Sequence, residues 1–185
     1  MNFMFGTNIE HLLIKLITMK LRLSLFLTIL SVSTLSICAQ TKGTLPVLNL
    51  TDLNGKTVSS ADIKKDEKIT IISFWATWCP PCKKELNNIS EEYTDWQKKY
   101  NLKVVAISID DIKSSNKIKP YMDEHHWNFQ VLLDISQDLK RALNIQNVPF
   151  TLLLDKNGKI VYTRSGYTEG DEAILEEEIQ KISKN

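Results

Sequence analysis

Histidine and cysteine are scarce, three of each in 185 residues, and the scarcity bears first on metals. A tetrahedral zinc shell takes four nitrogen or sulfur ligands, and Cys79 and Cys82 supply only two of them. The third cysteine, Cys38, lies in an apolar N-terminal stretch that we expect to be removed, and His125 and His126 are adjacent. Neighbouring helical residues point about 100° apart, so this pair does not converge on one ion. It reads as a solvated helix end, and no metal site is expected. Charge of either sign is not in excess: the net charge is +1 and the pI ≈ 7.7. The pairs Lys64-Lys65, Lys83-Lys84 and Lys98-Lys99 sit among acids or on helix flanks. They fall short of the blocks of roughly five or six like charges that mark an interaction tail. A nucleic-acid binder or a basic membrane-surface binder is therefore not expected. Neither internal repeats nor low-complexity tracts are present. What remains is ordinary globular composition, 43% hydrophobic and 24% charged, enough for one domain with a buried core.

No charged residue occurs between Leu23 and Gln40, and Lys20 and Arg22 stand just ahead. A basic start, an apolar run rich in Ser and Thr, and small residues at the end make up a secretory signal. We expect residues 1–39 to act as one, with cleavage near Ala39. An uncleaved anchor is the alternative, although the run is marginal against the roughly 20 apolar residues that a span needs. Lipid attachment at Cys38 is disfavoured, because Ile37 stands where such signals carry a small residue. Residues 1–18 make a long preface, and Met19 is a candidate translation start. The mature domain, residues 40–185, then keeps only Cys79 and Cys82. Two thiols in an oxidising compartment are expected to be paired or redox-active. A bridge closing so short a loop restrains the unfolded chain little, so a purely structural staple is a poor use of the pair.

Along the mature chain, Leu45–Lys68 carries short apolar runs around the turn Leu53-Asn54-Gly55-Lys56, predicting an N-terminal hairpin and a short helix. "ITIISFW", Ile69–Trp75, is a dense β-branched and aromatic run suited to a buried central strand. Leu86, Ile89, Tyr93, Trp96 and Tyr100 then recur every three or four residues, one face of a long helix. Leu102–Asp110 is a second strand. Residues 114–126 can form a helix, with Pro120 a break or a first-turn residue. "FQVLLD" is a short strand and "SQDLKRAL" a short helix. "FTLLLD" and "KIVYTR" flank Lys156-Asn157-Gly158, a hairpin signal. A last helix is expected over Asp171–Ile182, with Thr168 and Asp171 at capping-box spacing. Strands alternating with helices predict a three-layer α/β/α sandwich around a mixed sheet, in one domain.

The chemistry concentrates in "ISFWATWCPPCKKEL", Ile72–Leu86. Strand, cysteine, helix in that order puts Cys79 at a helix N-terminus, where unpaired N–H groups and the positive end of the dipole favour a thiolate. Thiols so placed ionise well below the free value of about 8.5. Cys79 is then the exposed nucleophile, and Cys82, one turn in, resolves the mixed disulfide. Pro80 and Pro81 have no N–H, so the sulfur loses two potential donors and keeps the N–H of Cys82. Less thiolate stabilisation implies a more reducing couple. Pro149 directly precedes a strand. Its default reading is a strand-initiating proline, and a cis Val148–Pro149 bond, found in about 5–6% of X–Pro bonds, is the alternative.

"FWATWCPPC" followed by "VPFTLLLDKNGKIVY" resembles the thioredoxin superfamily, and more closely its exported TlpA/ResA-type thiol–disulfide oxidoreductases. The likeness runs from about Leu45 to Ile182, and the length between Cys82 and Pro149 fits the central βα insertion of that group. The resemblance implies Cys79 as nucleophile, Cys82 as resolving thiol, and Pro149 as the cis proline facing them. Val148 would offer backbone hydrogen bonds to a docked peptide. Trp75, Trp78 and Pro80 would border the site, although Trp75 suits an ordinary core role equally well. Glu85, three residues after Cys82, matches an acid able to move protons for Cys82; a surface helix glutamate is the plain alternative. Two departures stand out. Ser73 occupies the strand position where thioredoxins carry a buried aspartate, so that acid route is missing. Phe150 follows the proline where Thr is common, which changes the docking groove.

The expected activity is extracytoplasmic thiol–disulfide exchange, in the reducing direction. It needs no cofactor, since the two sulfurs carry the electrons. Protein disulfides are the expected substrates, the cysteines of apocytochrome c among the candidates. The resemblance also implies a membrane electron donor of the DsbD or CcdA kind. Two rivals remain: a peroxiredoxin-like thiol peroxidase, whose Pro-x-x-x-Thr/Ser-x-x-Cys setting is missing, and a non-catalytic copper-binding carrier. The sequence does not address oligomeric state.

Overall fold

The computed structural model describes residues 43–184 together with Met19. The expected signal segment, its cleavage point and Cys38 lie outside the described residues. Among the described residues no helix is long and apolar enough to cross a membrane.

The fold grows from β3, Ile69–Trp75, in which every residue is buried. A strand hidden on both faces needs a layer on each. It sits near the middle of a seven-stranded mixed sheet of order β2-β1-β5-β4-β3-β6-β7. Here β1 is Asn49–Asp52, β2 Thr57–Ser59, β4 Leu102–Ser108, β5 Gln130–Leu133, β6 Phe150–Leu154 and β7 Ile160–Ser165. Strands β3, β4 and β5 run parallel, and the remaining pairings are antiparallel. The expected N-terminal hairpin is β1–β2, followed by a 3-10 turn over Ser60–Lys64. Both hairpins are closed by an aspartate. Asp52 Oδ1 accepts from the N–H of Asn54 and Lys56, and Asp155 Oδ1 from the N–H of Asn157 and Lys159. Gly158 has φ +76°, and a Cβ there would press on Lys64 Cδ at 2.8 Å. A larger residue is thus opposed by both backbone and space.

Helix α1, Pro80–Tyr100, buries the predicted stripe of Leu86, Ile89, Tyr93, Trp96 and Tyr100, and with it Cys82 and Glu85. It stops at Asn101, whose φ of 50° is left-handed. The successive right-handed crossovers β3–α1–β4 and β4–α2–β5 step the same way across the sheet, so α1 and α2 (Ile118–Glu124) share a face. Asn87 of α1 bonds Tyr121 of α2 at 3.3 Å accordingly. Pro120 falls in the first turn of α2, where its missing N–H costs nothing. The C-terminal helix α4, Asp171–Ser183, packs beside α1. Helix α3, Asp138–Ala142, lies in the return from β5 to β6 and buries Leu139, as the 3-10 turn buries Ile63. The predicted capping box is half formed. Asp171 Oδ2 accepts from Thr168 N–H at 2.6 Å, but the residue at the cap is Gly170, with φ 94° and no side-chain bond.

Candidate functional site

The register between β3 and β6 assembles the site. The strands are antiparallel with Phe74 opposite Phe150, so the end of β3 that leads into Cys79 lies beside the start of β6. Val148–Pro149 is a cis peptide bond at that point, and Pro149 is buried. Sequence separation thus disappears, and the pair and the proline share one end of the sheet.

Cys79 and Cys82 are joined in a disulfide with Cα atoms 5.3 Å apart. Cys79 is the N-cap of α1, and its sulfur accepts from Cys82 N–H at 3.3 Å. With Pro80 and Pro81 between them, this is the donor that the two prolines were expected to leave. Cys79 is 4% exposed and Cys82 fully buried. Of the pair, Cys79 is thus the residue with any exposure, and Cys82 lies beneath it on α1. Trp78 is exposed and Trp75 fully buried. Trp75 packs against Trp127 and Tyr121 at centroid distances of 5.0 and 6.2 Å, which assigns it to the core.

Glu85 is not a surface residue. It is 4% exposed, and its carboxyl accepts from Ser73 Oγ at 2.8 Å and Thr151 Oγ1 at 2.6 Å. The strand supplies no acid at position 73, as noted from the sequence, yet α1 carries a carboxyl to that same strand position from the helix side. Burial pushes the Glu85 pKa up, and the Thr151 and Ser73 hydroxyls and the nearby Arg164 charge offset part of the rise. Cys82 and Glu85 are three apart on α1, the spacing of neighbours on a helix surface. Behind the carboxyl, a cavity of about 10 Å³ is lined by Thr151, Arg164, Tyr167 and Asp171 among others. That is room for about one water. Arg164 and Asp171 close it as an ion pair.

Sequence reasoning missed Asp110. It is 1% exposed and accepts from Thr77 N–H (2.8 Å), Thr77 Oγ1 (2.7 Å) and Ser108 Oγ (2.7 Å). It thereby ties the turn ahead of Cys79 to the end of β4. An acid immediately past a strand, at the end where the cysteine loop begins, was the available signal. Among the described residues no group of three or more His, Cys, Asp or Glu side chains is placed to hold a metal ion.

Comparison with known proteins agrees with this geometry. The model of the AhpC/TSA family matches residues 42–163. A thiol-disulfide oxidoreductase ResA from Bacillus thuringiensis is 30% identical over 138 residues, covering 75% of this chain and 76% of that protein. ResA from Bacillus subtilis is 31% identical over 121 residues, 65% of each chain. The solution structure of a thioredoxin-like protein from Porphyromonas gingivalis superposes with a TM-score of 0.69 at 43% identity, covering 76% of this chain and 92% of that one.

Proposed function

Since the chain belongs to the AhpC/TSA family of thioredoxin-like proteins, and is a thiol–disulfide oxidoreductase similar to ResA, we propose that it reduces protein disulfides outside the cytoplasm. The observation that carries this reading is the Cys79–Cys82 disulfide capping α1. The reduced protein attacks with the Cys79 thiolate. A bond forms from Cys79 Sγ to one client sulfur, the client S–S bond breaks, and the other client sulfur leaves as thiolate. Cys82, deprotonated, then attacks Cys79 Sγ, forming the intramolecular disulfide and releasing the second client thiolate. Two electrons pass to the client. Glu85 takes the Cys82 proton in the second step and returns one when the protein is recharged. Its raised pKa suits that exchange, because a carboxyl held closer to neutrality both gives and takes a proton. Val148, next to Pro149, pairs with the client backbone, and Trp78 and Pro80 border the docked peptide.

The apolar segment Leu23–Gln40 supports export. In an oxidising compartment a reductase must be recharged, and a membrane dithiol donor of the DsbD or CcdA kind meets that need. Apocytochrome c cysteines, kept reduced for haem attachment, are the client class we favour. Peroxide reduction is the weaker reading: the Pro and Thr/Ser of the peroxidase setting are replaced by Ile72 and Ala76.

Among the described residues one N–H, that of Cys82, reaches Cys79 Sγ across the proline pair, so the thiolate is weakly held and the couple is reducing. Equilibration against dithiothreitol and glutathione series should give a potential near thioredoxin's, about −270 mV, and far from DsbA's, about −120 mV. A value above about −150 mV would overturn the reductase direction.

A further inference from the structure

Beside the disulfide lies a cleft of about 270 Å³ lined by Thr77, Trp78, Lys83, Ser114, Lys117 and Tyr121. Thr77 and Trp78 immediately precede Cys79. Lys83 is on the first turn after it, with its N–H donating to the Cys79 carbonyl at 3.2 Å. The cleft therefore opens along the rim of the redox pair. Ser114, Lys117 and Tyr121 come from the segment after β4, whereas Pro149 precedes β6, and β3 lies between those two strands. Cleft and proline thus flank Cys79 on opposite sides. A client backbone that pairs at Val148 and crosses Cys79 runs on toward the cleft.

The walls are aromatic and cationic. Trp78 is 65% exposed, and Lys83 Nζ lies 4.8 Å from the Tyr121 ring centroid. Lys84, Lys99 and Lys103 each hold a carboxylate. Lys83 and Lys117 form no ion pair among the described residues. Asp110 is buried and accepts through both oxygens from Thr77 and Ser108, and it forms an ion pair with neither Lys83 nor Lys117. Asp111, which accepts from the Ser114 N–H at 2.8 Å, lies within electrostatic reach of Lys117 without forming a salt bridge, and the lining itself carries Lys83 and Lys117 with no carboxylate among its residues.

We propose that this cleft is a specificity subsite for an acidic side chain of the client polypeptide, a Glu or Asp within a few residues of the cysteine under attack. The inference rests on the reading of the protein as a protein-disulfide oxidoreductase. The client carboxylate meets Lys83 and Lys117, its methylenes lie on Trp78 and Tyr121, and a basic residue at the same place is repelled. An exposed ion pair changes a rate by roughly twofold to fivefold, so two attractive pairs against two repulsive ones separate Glu from Lys by about tenfold or more.

The test uses the full reduced chain and three oxidised peptides that differ only in a Glu, Gln or Lys near the cysteine. Second-order exchange rates should rank Glu, Gln, Lys, with Glu over Lys by about tenfold at low salt and the ratio shrinking as salt is added. In Lys83→Gln/Lys117→Gln the ratio should fall toward one, and in Lys83→Glu/Lys117→Glu it should invert. Equal rates for the three peptides with the wild-type protein overturn the subsite. So does a preference that survives the double glutamine variant. Should the charge-reversed protein not fold, the glutamine variant and the salt series still decide. Failure of the wild type to exchange with any peptide, or with a small uncharged disulfide, overturns the oxidoreductase reading itself and the subsite with it.

Discussion

Replacing Glu85 by glutamine should stabilise the protein near neutral pH and change it little in acid. The carboxyl is buried and accepts from two hydroxyls, Ser73 Oγ and Thr151 Oγ1. Burial raises its pKa above the unfolded value, which is about 4.3. Between those two values the native state holds more protons than the unfolded chain, so stability is lost as pH rises through the folded pKa. For a single group the steepest loss is about 1.4 kcal/mol per pH unit, and it levels off above the folded pKa. Glutamine is close to an isostere of the protonated acid and cannot ionise. Its carbonyl keeps one hydroxyl donor, and the other hydroxyl must turn to accept from the amide. Below the unfolded pKa the two proteins should therefore agree to within one hydrogen bond, about 1 kcal/mol. Above it the difference should open steadily in favour of the variant. The other carboxylates are common to both chains and cancel. Urea unfolding of both oxidised proteins from about pH 4 to about pH 8 measures the difference directly. Parallel stability curves would refute the reasoning, because they would mean that the carboxyl titrates alike in the folded and unfolded chain.

Asp110→Ala removes the acceptor for Thr77 N–H, Thr77 Oγ1 and Ser108 Oγ. It should cost about 2–4 kcal/mol in urea unfolding and slow thiol exchange by loosening the turn ahead of Cys79; a variant within 0.5 kcal/mol (about the scatter of surface substitutions) would contradict this. Trp127 is 5% exposed and packs on Trp75, Tyr121 and Phe129. Its Nε1–H donates to Asn87 Oδ1 at 2.9 Å. Trp127→Ala should lose about 3–5 kcal/mol, whereas Trp127→Phe, which keeps most of the packing, should lose much less by the same measurement.

The parts of the fold that were legible in advance rest on local repetition. Ile69–Trp75 announces a buried strand by composition, and the spacing of Leu86, Ile89, Tyr93 and Trp96 announces α1. The turns Leu53-Asn54-Gly55-Lys56 and Lys156-Asn157-Gly158 announce both hairpins. The cysteine spacing and the strand–cysteine–helix order gave Cys79 its place at the cap. Other features were illegible because they depend on distant residues. Thr151 reaches Glu85 across 66 positions, so whether that carboxyl faced solvent or Ser73 was not a property of the helix sequence. Asp110 meets Thr77 across 33 positions. The cis geometry before Pro149 has no local marker in the chain; the family resemblance alone implied it, and the Val148–Pro149 bond is cis. Thr168 and Asp171 had the spacing of a cap, but the glycine between them accepts a left-handed φ, and the helix starts there instead. Lys83 read as surface charge in sequence, and Lys117 drew no reading; the turn of α1 and the segment before α2 bring them to one cleft.

The central claim is a division of labour between two sulfurs, the outer one attacking and the inner one resolving. It is tested most directly by replacing each with serine, mixing the variant with oxidised client extract, quenching with acid, and resolving mixed disulfides without reductant. Cys82→Ser should accumulate covalent client complexes that dithiothreitol dissolves, and Cys79→Ser should accumulate none. Equal accumulation in the two variants, or complexes formed through Cys82 alone, would contradict the account.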